Sequence, residues 1–245
     1  MIITLGGIAM LSGLLVVLTW QLTLAPIREN QRIMIEKAIF QVIPGATQRR
    51  SYALTDKGLE DLEPQSHANK NSSSQDKYSQ TKAAKNSTLK FYAAYDVQGQ
   101  LKGIAAEAAA QGYADIVRLL YGYDPQCQCI RGFSIIKMAE TPGLGDKILT
   151  DENFLDNFSA LDARLSYDKK TLGNPIITVK HGSKNNPWEI DAISGATITS
   201  KAVGKAINQG AEQLLPKLYP YLQQLQTNSS LNALSLNLKK EKGEE

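Results

Sequence analysis

At 245 residues, with 42% hydrophobic and 21% charged side chains, the chain is long enough to bury a core in one domain or at most two. Its net charge of +3 comes from scattered basic residues with no basic-aromatic stripe, so no nucleic-acid partner is expected. Two cysteines exclude a disulfide-built scaffold, and two distant histidines, His67 and His181, give no metal-ligand spacing, so no metal is expected.

Met1 to Ile27 carries no charged side chain. At a rise of about 1.5 Å per residue, the apolar run Ile2–Leu24 is long enough to cross a hydrocarbon core of ~30 Å. Trp20 sits near one end, where interfacial aromatics gather. No basic n-region precedes the run and no small-x-small cleavage site follows it, so it reads as a retained anchor rather than a cleaved signal. Arg28, Arg32 and Lys37 follow the anchor, which on charge alone would hold the body in the cytoplasm. Composition by itself leaves sidedness open.

Arg28–Ile43 has helical spacing, with Ile35, Ile39 and Val42 on one face, and Pro44-Gly45 stops it. Ser51–Thr88 is mostly polar, and Ser66–Ser87, rich in Asn, Ser, Gln and Lys, reads as a mobile insertion. Leu89, Phe91, Ala93 and Tyr95 alternate, Asp96–Gln100 turns, and Leu101–Ala109 resumes, predicting a hairpin. Ile116–Gly122 and Ile130–Lys137 predict a second strand pair around the turn Tyr123–Cys129. The Cys127-x-Cys129 spacing strains a disulfide and lacks further metal ligands; two oxidisable thiols near a turn are expected.

Glu140-Thr141-Pro142-Gly143-Leu144-Gly145 is a tight loop after a strand. Asp151–Leu165 has helical spacing, Pro175–His181 reads as a strand, and Trp188–Ile193 leads into Asp191-Ala192-Ile193-Ser194-Gly195-Ala196-Thr197-Ile198-Thr199-Ser200. Small residues and hydroxyls at a strand-to-helix junction make either ordinary helix caps or an anion seat, where unpaired N–H groups meet a phosphate. The following helix has Val203, Ile207, Gly210, Ala211, Leu214 and Leu218 on one face, with Pro216 and Pro220 to kink or end it.

ETPGLGDKI at 140–148, followed by DAISGATITS at 191–200 and a helix, resembles the FMN-binding domain family, which includes the G subunit of Rnf electron transport complexes and the C subunit of the sodium-pumping NADH:quinone reductase. The resemblance covers nearly the whole chain, and its Gly145-Asp146-Lys147 continuation is more like the Rnf subunit. It implies an α+β fold, with an N-terminal transmembrane helix and then a mixed or antiparallel sheet with packed helices. The expected organisation is an anchor at 1–27, a juxtamembrane helix at 28–45, a polar linker at 46–88, the FMN-binding domain at 89–225 and a polar tail at 226–245.

By residue-to-residue matching, the resemblance implies FMN on Thr197 through a phosphoester, attached from FAD by a separate magnesium-dependent flavin transferase. It implies that Asp191, Ser194, Gly195 and Ala196 form the recognised motif and cradle the phosphate. Glu140, Thr141, Pro142, Gly143, Leu144 and Gly145 would lie against the flavin. Thr199 and Ser200 would cap the helix, with Thr199 near the phosphate. No catalytic residue is expected. The implied function is an electron-carrying subunit of an ion-translocating membrane complex, partnered by the other Rnf-type subunits, in a bacterial inner membrane with the FMN domain on the outer face. The alternatives are a stand-alone anchored flavin carrier and a phosphate-binding module without redox function. The chain departs from the family pattern at Gly112-Tyr113-Ala114-Asp115, where Gly-Tyr-Gly-Gly is common, and at Met138-Ala139, where His or Lys often precedes the loop.

Overall fold

The computed structural model describes residues 2–62 and 88–226. The insertion expected at 66–87 and the tail after residue 226 lie outside the described residues. The described chain falls into two compact units, one up to Lys37 and one from Ala38.

Helix α1 spans Ile2–Val42 and runs unbroken through Pro26 and through the boundary expected at 27/28. Its apolar side chains, among them Leu5, Leu11, Leu14, Leu18 and Trp20, are exposed. The helix is long and apolar enough to cross a membrane.

In the second unit, strands β1 (Gln48–Thr55), β2 (Gly58–Asp61), β3 (Leu89–Tyr95), β4 (Leu101–Gln111), β5 (Ile116–Asp124), β6 (Cys129–Lys137) and β7 (Leu161–Asp162) form one sheet in the order β2-β1-β3-β4-β5-β6-β7. Every pairing in it is antiparallel. The alternation in β3–β6 sets the register, because slipping by one residue would carry each buried side chain to the opposite face. Residues 48–61, expected in the polar linker, instead form β1 and β2. They do so because Tyr52 and Leu54 bury on one face, with Tyr52 stacked on Phe91 of β3 at 5.6 Å.

Helix α3 (Thr197–Leu218) covers the face that carries Ala108 and Tyr121. Its buried side is Ala202, Val203, Ala206, Ile207, Ala211, Leu214, Leu215 and Leu218, the stripe expected at helical spacing. Pro216 lies within α3 without ending it, and a 3-10 turn follows at Tyr219–Tyr221. The other face of the sheet receives the end of α1 and Ile43. A Cβ on Gly122 would strike the carbonyl of Val42, and one on Gly103 would press on Ile43 at 3.0 Å. Gly122 lets helix backbone lie directly on strand backbone, and Gly103 makes room for the Ile43 side chain.

The segment between sheet and α3 is irregular. A 3-10 turn (Gly145–Leu149) and one turn of helix α2 (Glu152–Asp156) precede β7, and β8 (Ile177–Val179) pairs in parallel with β9 (Glu189–Asp191). The helix expected over 151–165 is only this one turn. Phe154 and Phe158 pack edge-on to each other and to Phe133, and Leu161 leaves to pair with Ile130 of β6. Cys127 and Cys129 are joined as a disulfide, correcting the expectation of two thiols; their Cα atoms lie 5.2 Å apart, within ordinary bridging range.

Candidate functional site

The two glycine-rich stretches, about fifty residues apart in sequence, meet at one hydrogen bond. Thr199 Oγ1, in the first turn of α3, donates to Glu140 Oε2 at 2.6 Å. The other oxygen, Glu140 Oε1, accepts from the amides of Tyr113 at 3.1 Å and Ala114 at 3.2 Å. One carboxylate therefore joins the β4–β5 turn, the 140–145 loop and the start of α3. Small residues make room for it. A Cβ on Gly112 would collide with Glu140 Oε1, and a Cβ on Gly145 would stand 2.6 Å from Glu140 Cβ. The Gly112-Tyr113-Ala114-Asp115 departure thus leaves the glycine that matters in place.

The rest of the loop is a tight turn. Thr141 carbonyl accepts from Leu144 N at 3.2 Å and Gly145 N at 3.0 Å, and Gly143 takes φ +77°. Thr141, Pro142, Gly143 and Leu144 are exposed, with Leu144 directing an apolar side chain to the surface. Because both oxygens of Glu140 are engaged by protein donors, its position is that of a brace between segments.

On the other side of the junction, Asn157 holds β9. Its Oδ1 accepts from Asp191 N at 3.0 Å and from Lys184 Nζ at 2.9 Å, and its Nδ2 donates to Asp191 O at 3.3 Å. The side-chain amide thus pairs with one residue's backbone as a neighbouring strand would. Glu189 accepts from the amides of Asn185 and Asn186 and from the Asn186 side chain. These bonds, led by the Asn185 amide, hold its carboxyl below the ordinary range despite burial. Asp191 Oδ2 accepts from Gly182 N at 2.9 Å, and Asp191 Oδ1 is buried without a hydrogen-bond partner among the described residues. His181 Nδ1 lies 3.1 Å from Ala192 O, an acceptor that places the proton on Nδ1. Asp191 therefore braces the turn at Gly182.

Ser194 and Gly195 are exposed, and Gly195 has φ +83° with open space where a Cβ would stand. Ala196 is the N-cap of α3 and makes no side-chain cap. Thr199 and Ser200, expected as caps, are buried one turn into the helix. Thr199 is taken by Glu140, while Ser200 Oγ accepts from Ile193 N at 3.1 Å and donates to Ala196 O at 2.9 Å. Ser200 thereby ties the loop to the helix from inside. Among the described residues no side chain caps the start of this 22-residue helix, and its first-turn amides carry the positive end of its dipole. Thr197 is half-buried, and its hydroxyl donates only weakly, to Ile193 O at 3.4 Å. A half-open cleft of ≈ 470 Å³ adjoins the loop on the Ser194 side, lined by Lys147, Asp151, His181 and Asp191 among others.

Of the residues that sequence reasoning placed in one site, Glu140, Gly145 and Thr199 meet directly, and Thr197 stands two residues before Thr199 with its hydroxyl on Ile193 O. Sequence reasoning missed Asn157, and it read Ser200 as a cap where Ser200 instead ties Ile193 to the helix from inside. A buried Asn at the end of a helical stretch carries no pattern that would have marked it.

Residues 112–212 match the model of the FMN-binding domain family. The G subunit of the ion-translocating oxidoreductase complex of Methanosarcina acetivorans is 32% identical over 127 residues, 52% of this chain and 59% of that one. The G subunit of the proton-translocating ferredoxin:NAD(+) oxidoreductase complex of Clostridium ljungdahlii is 36% identical over 107 residues, 44% of this chain and 50% of that one. The Na(+)-translocating counterpart from Acetobacterium woodii is 35% identical over 115 residues, 46% and 50%. The chain spans about half the length of the curated relatives it matches. The crystal structure of Shewanella oneidensis NqrC superposes with a TM-score of 0.57 at 17% identity, covering 81% of this chain and 99% of that one, and so shares the fold.

Proposed function

We propose that this chain, whose residues 112–212 match the model of the FMN-binding domain family, is the membrane-anchored electron-carrying subunit of an ion-translocating oxidoreductase complex of Rnf type. FMN is held through a phosphoester at Thr197 Oγ1. The observation that carries the reading is the start of α3: a half-exposed threonine hydroxyl with one weak bond, over first-turn amides that lack a cap. An anionic phosphoryl there meets unpaired N–H groups and the positive end of the helix dipole.

The residues present fit such a group. Gly195 leaves its Cβ space open, Ser194 offers a hydroxyl, and no carboxylate approaches the Thr197 oxygen among its hydrogen bonds. FMN bound at this position supplies electron transfer in one- or two-electron steps. The chain's own residues do the placing. Glu140 holds the 140–145 loop and the Tyr113–Ala114 turn against α3, Ser200 fixes the loop before Thr197, and Asn157 with Asp191 fixes β9 behind it.

A flavin transferase makes the attachment by joining the Thr197 oxygen to the FMN phosphorus of FAD and releasing AMP. The other complex subunits are the partners in electron transfer. The FMN domain lies on the outer face of a bacterial inner membrane. The Cys127–Cys129 disulfide supports that sidedness, since disulfides persist in oxidising compartments, and it outweighs the basic residues after the anchor because large domains translocate despite flanking charge.

The test is co-expression with a flavin transferase followed by a denaturing gel. A fluorescent wild-type band that disappears in Thr197→Ala is expected. A dark wild-type band, with the transferase active on a control substrate, overturns the covalent reading. Co-purification of further membrane subunits distinguishes a complex subunit from a stand-alone carrier.

A further inference from the structure

The β5–β6 turn holds a chemical motif that the flavin site leaves unused. Cys127 and Cys129 form a disulfide whose two ends differ in access. Cys127 is exposed, whereas Cys129 is 4% exposed and begins β6 between Asp124 of β5 and Asp162 of β7. Between them Gln128 takes φ 53°, uncommon for a residue with a side chain, and its carbonyl accepts from Ala163 N at 3.0 Å.

This link closes a loop that the Asp124–Cys129 strand pair already closes. Closure entropy is smallest for so short a loop, so the bond does little for stability. What remains is its chemistry. A sulfur must be reachable to be attacked, and only Cys127 is.

We propose that Cys127–Cys129 is a thiol–disulfide exchange site, with Cys127 the sulfur attacked and Cys129 the leaving thiol. One thiolate of a dithiol reductant attacks Cys127 Sγ. The S–S bond breaks, its electron pair goes to Cys129 Sγ, and that sulfur takes up a proton. The reductant's second thiolate then attacks its own sulfur in the mixed disulfide and releases Cys127 as a thiol. The chain gains two electrons and two protons, and the reductant becomes a disulfide. β5 runs from Ile116, beside the 112–115 turn, to Asp124, so its length of roughly 26 Å separates the exchange site from the Glu140 brace. The exchange site and the Glu140 brace thus lie at opposite ends of one strand.

The experiment uses the full chain in detergent, flavin attached, with glutathione or dithiothreitol as probe, acid quenching, alkylation and peptide mass analysis. As isolated, neither cysteine is alkylated. Glutathione appears on Cys127 while Cys129 becomes alkylated, and dithiothreitol opens the bond in the folded protein, reversibly on return to oxidised glutathione. With oxidised glutathione, Cys129→Ser is modified at Cys127, and Cys127→Ser stays unmodified at the buried Cys129. Two free thiols in the isolated protein, a bond that opens only in denaturant, or glutathione on Cys129 overturns the proposal. In-gel flavin fluorescence stays unchanged in both serine variants, so this test and that of the flavin site fail separately.

Discussion

Strands β3–β6 and the segment from Met138 to Ala196 are held by different kinds of bond. In the strands, ladder pairing satisfies the backbone, and alternating side chains such as Phe91, Ile104, Leu119 and Tyr121 fill the core under α3. The later segment contains no strand longer than three residues, and its one helix, α2, is a single turn. Its backbone is fixed instead by side chains: Asn157 on Asp191, Glu189 on Asn185 and Asn186, Asp191 on Gly182, Ser200 on Ile193. The sheet is robust because no single contact decides it. The site segment is specific because single polar groups do, and the open face around Thr197 is what this arrangement leaves free.

That contrast predicts where substitutions act. Ile104→Ala, in the fully buried sheet core, should cost about 2–5 kcal/mol in urea denaturation while leaving flavin attachment per folded molecule unchanged. Equal loss of attachment and stability would break the contrast. Gly145→Ala should cost less, about 1–3 kcal/mol, because the new Cβ must displace Glu140. It should also lower flavin attachment well beyond its effect on folding, measured as in-gel fluorescence per folded protein.

Acid should act on both regions. Burial opposes the charge of Asp96, but the Gln100 amide, Lys102 and the Gln98 amide outweigh it and hold the carboxyl below its ordinary range. Glu189 is depressed likewise, chiefly by the Asn185 amide. A depressed carboxyl stabilises the fold above its unfolded pKa, and that stability is lost as pH falls through the folded value. Tm should therefore hold steady down to about pH 5 and fall below about pH 4, with a shallower fall in Glu189→Gln. The smallest effect is expected at Tyr121→Phe. The Tyr121 hydroxyl is buried without a hydrogen-bond partner among the described residues, so its removal should change stability by no more than about 1 kcal/mol, toward stabilisation.

The same contrast explains what was legible in the residues. The hairpin β3–β4, the pair β5–β6 and the α3 stripe follow from alternation and helical spacing, because burial on one face dictates both. Spacing failed at 151–165, where Phe154, Phe158 and Leu161 recur like a helix yet serve two different neighbours. Polarity hid β1, since Gln48, Arg49, Arg50 and Ser51 precede the buried Tyr52–Leu54. In the site, motif resemblance found Glu140 and Thr199 but assigned them a cofactor contact and a cap. Their actual bond to each other is a tertiary fact that neither stretch contains. Asn157 was invisible for the same reason.

The central claim is that Thr197 carries the flavin, and peptide mass analysis of the chain co-expressed with a flavin transferase tests it most directly. The account predicts a mass increase equal to FMN less water, localised by fragmentation to Thr197 and absent in Thr197→Ala. An unmodified Thr197 in the wild-type chain, or the same mass on Ser194 or Thr199, would contradict it.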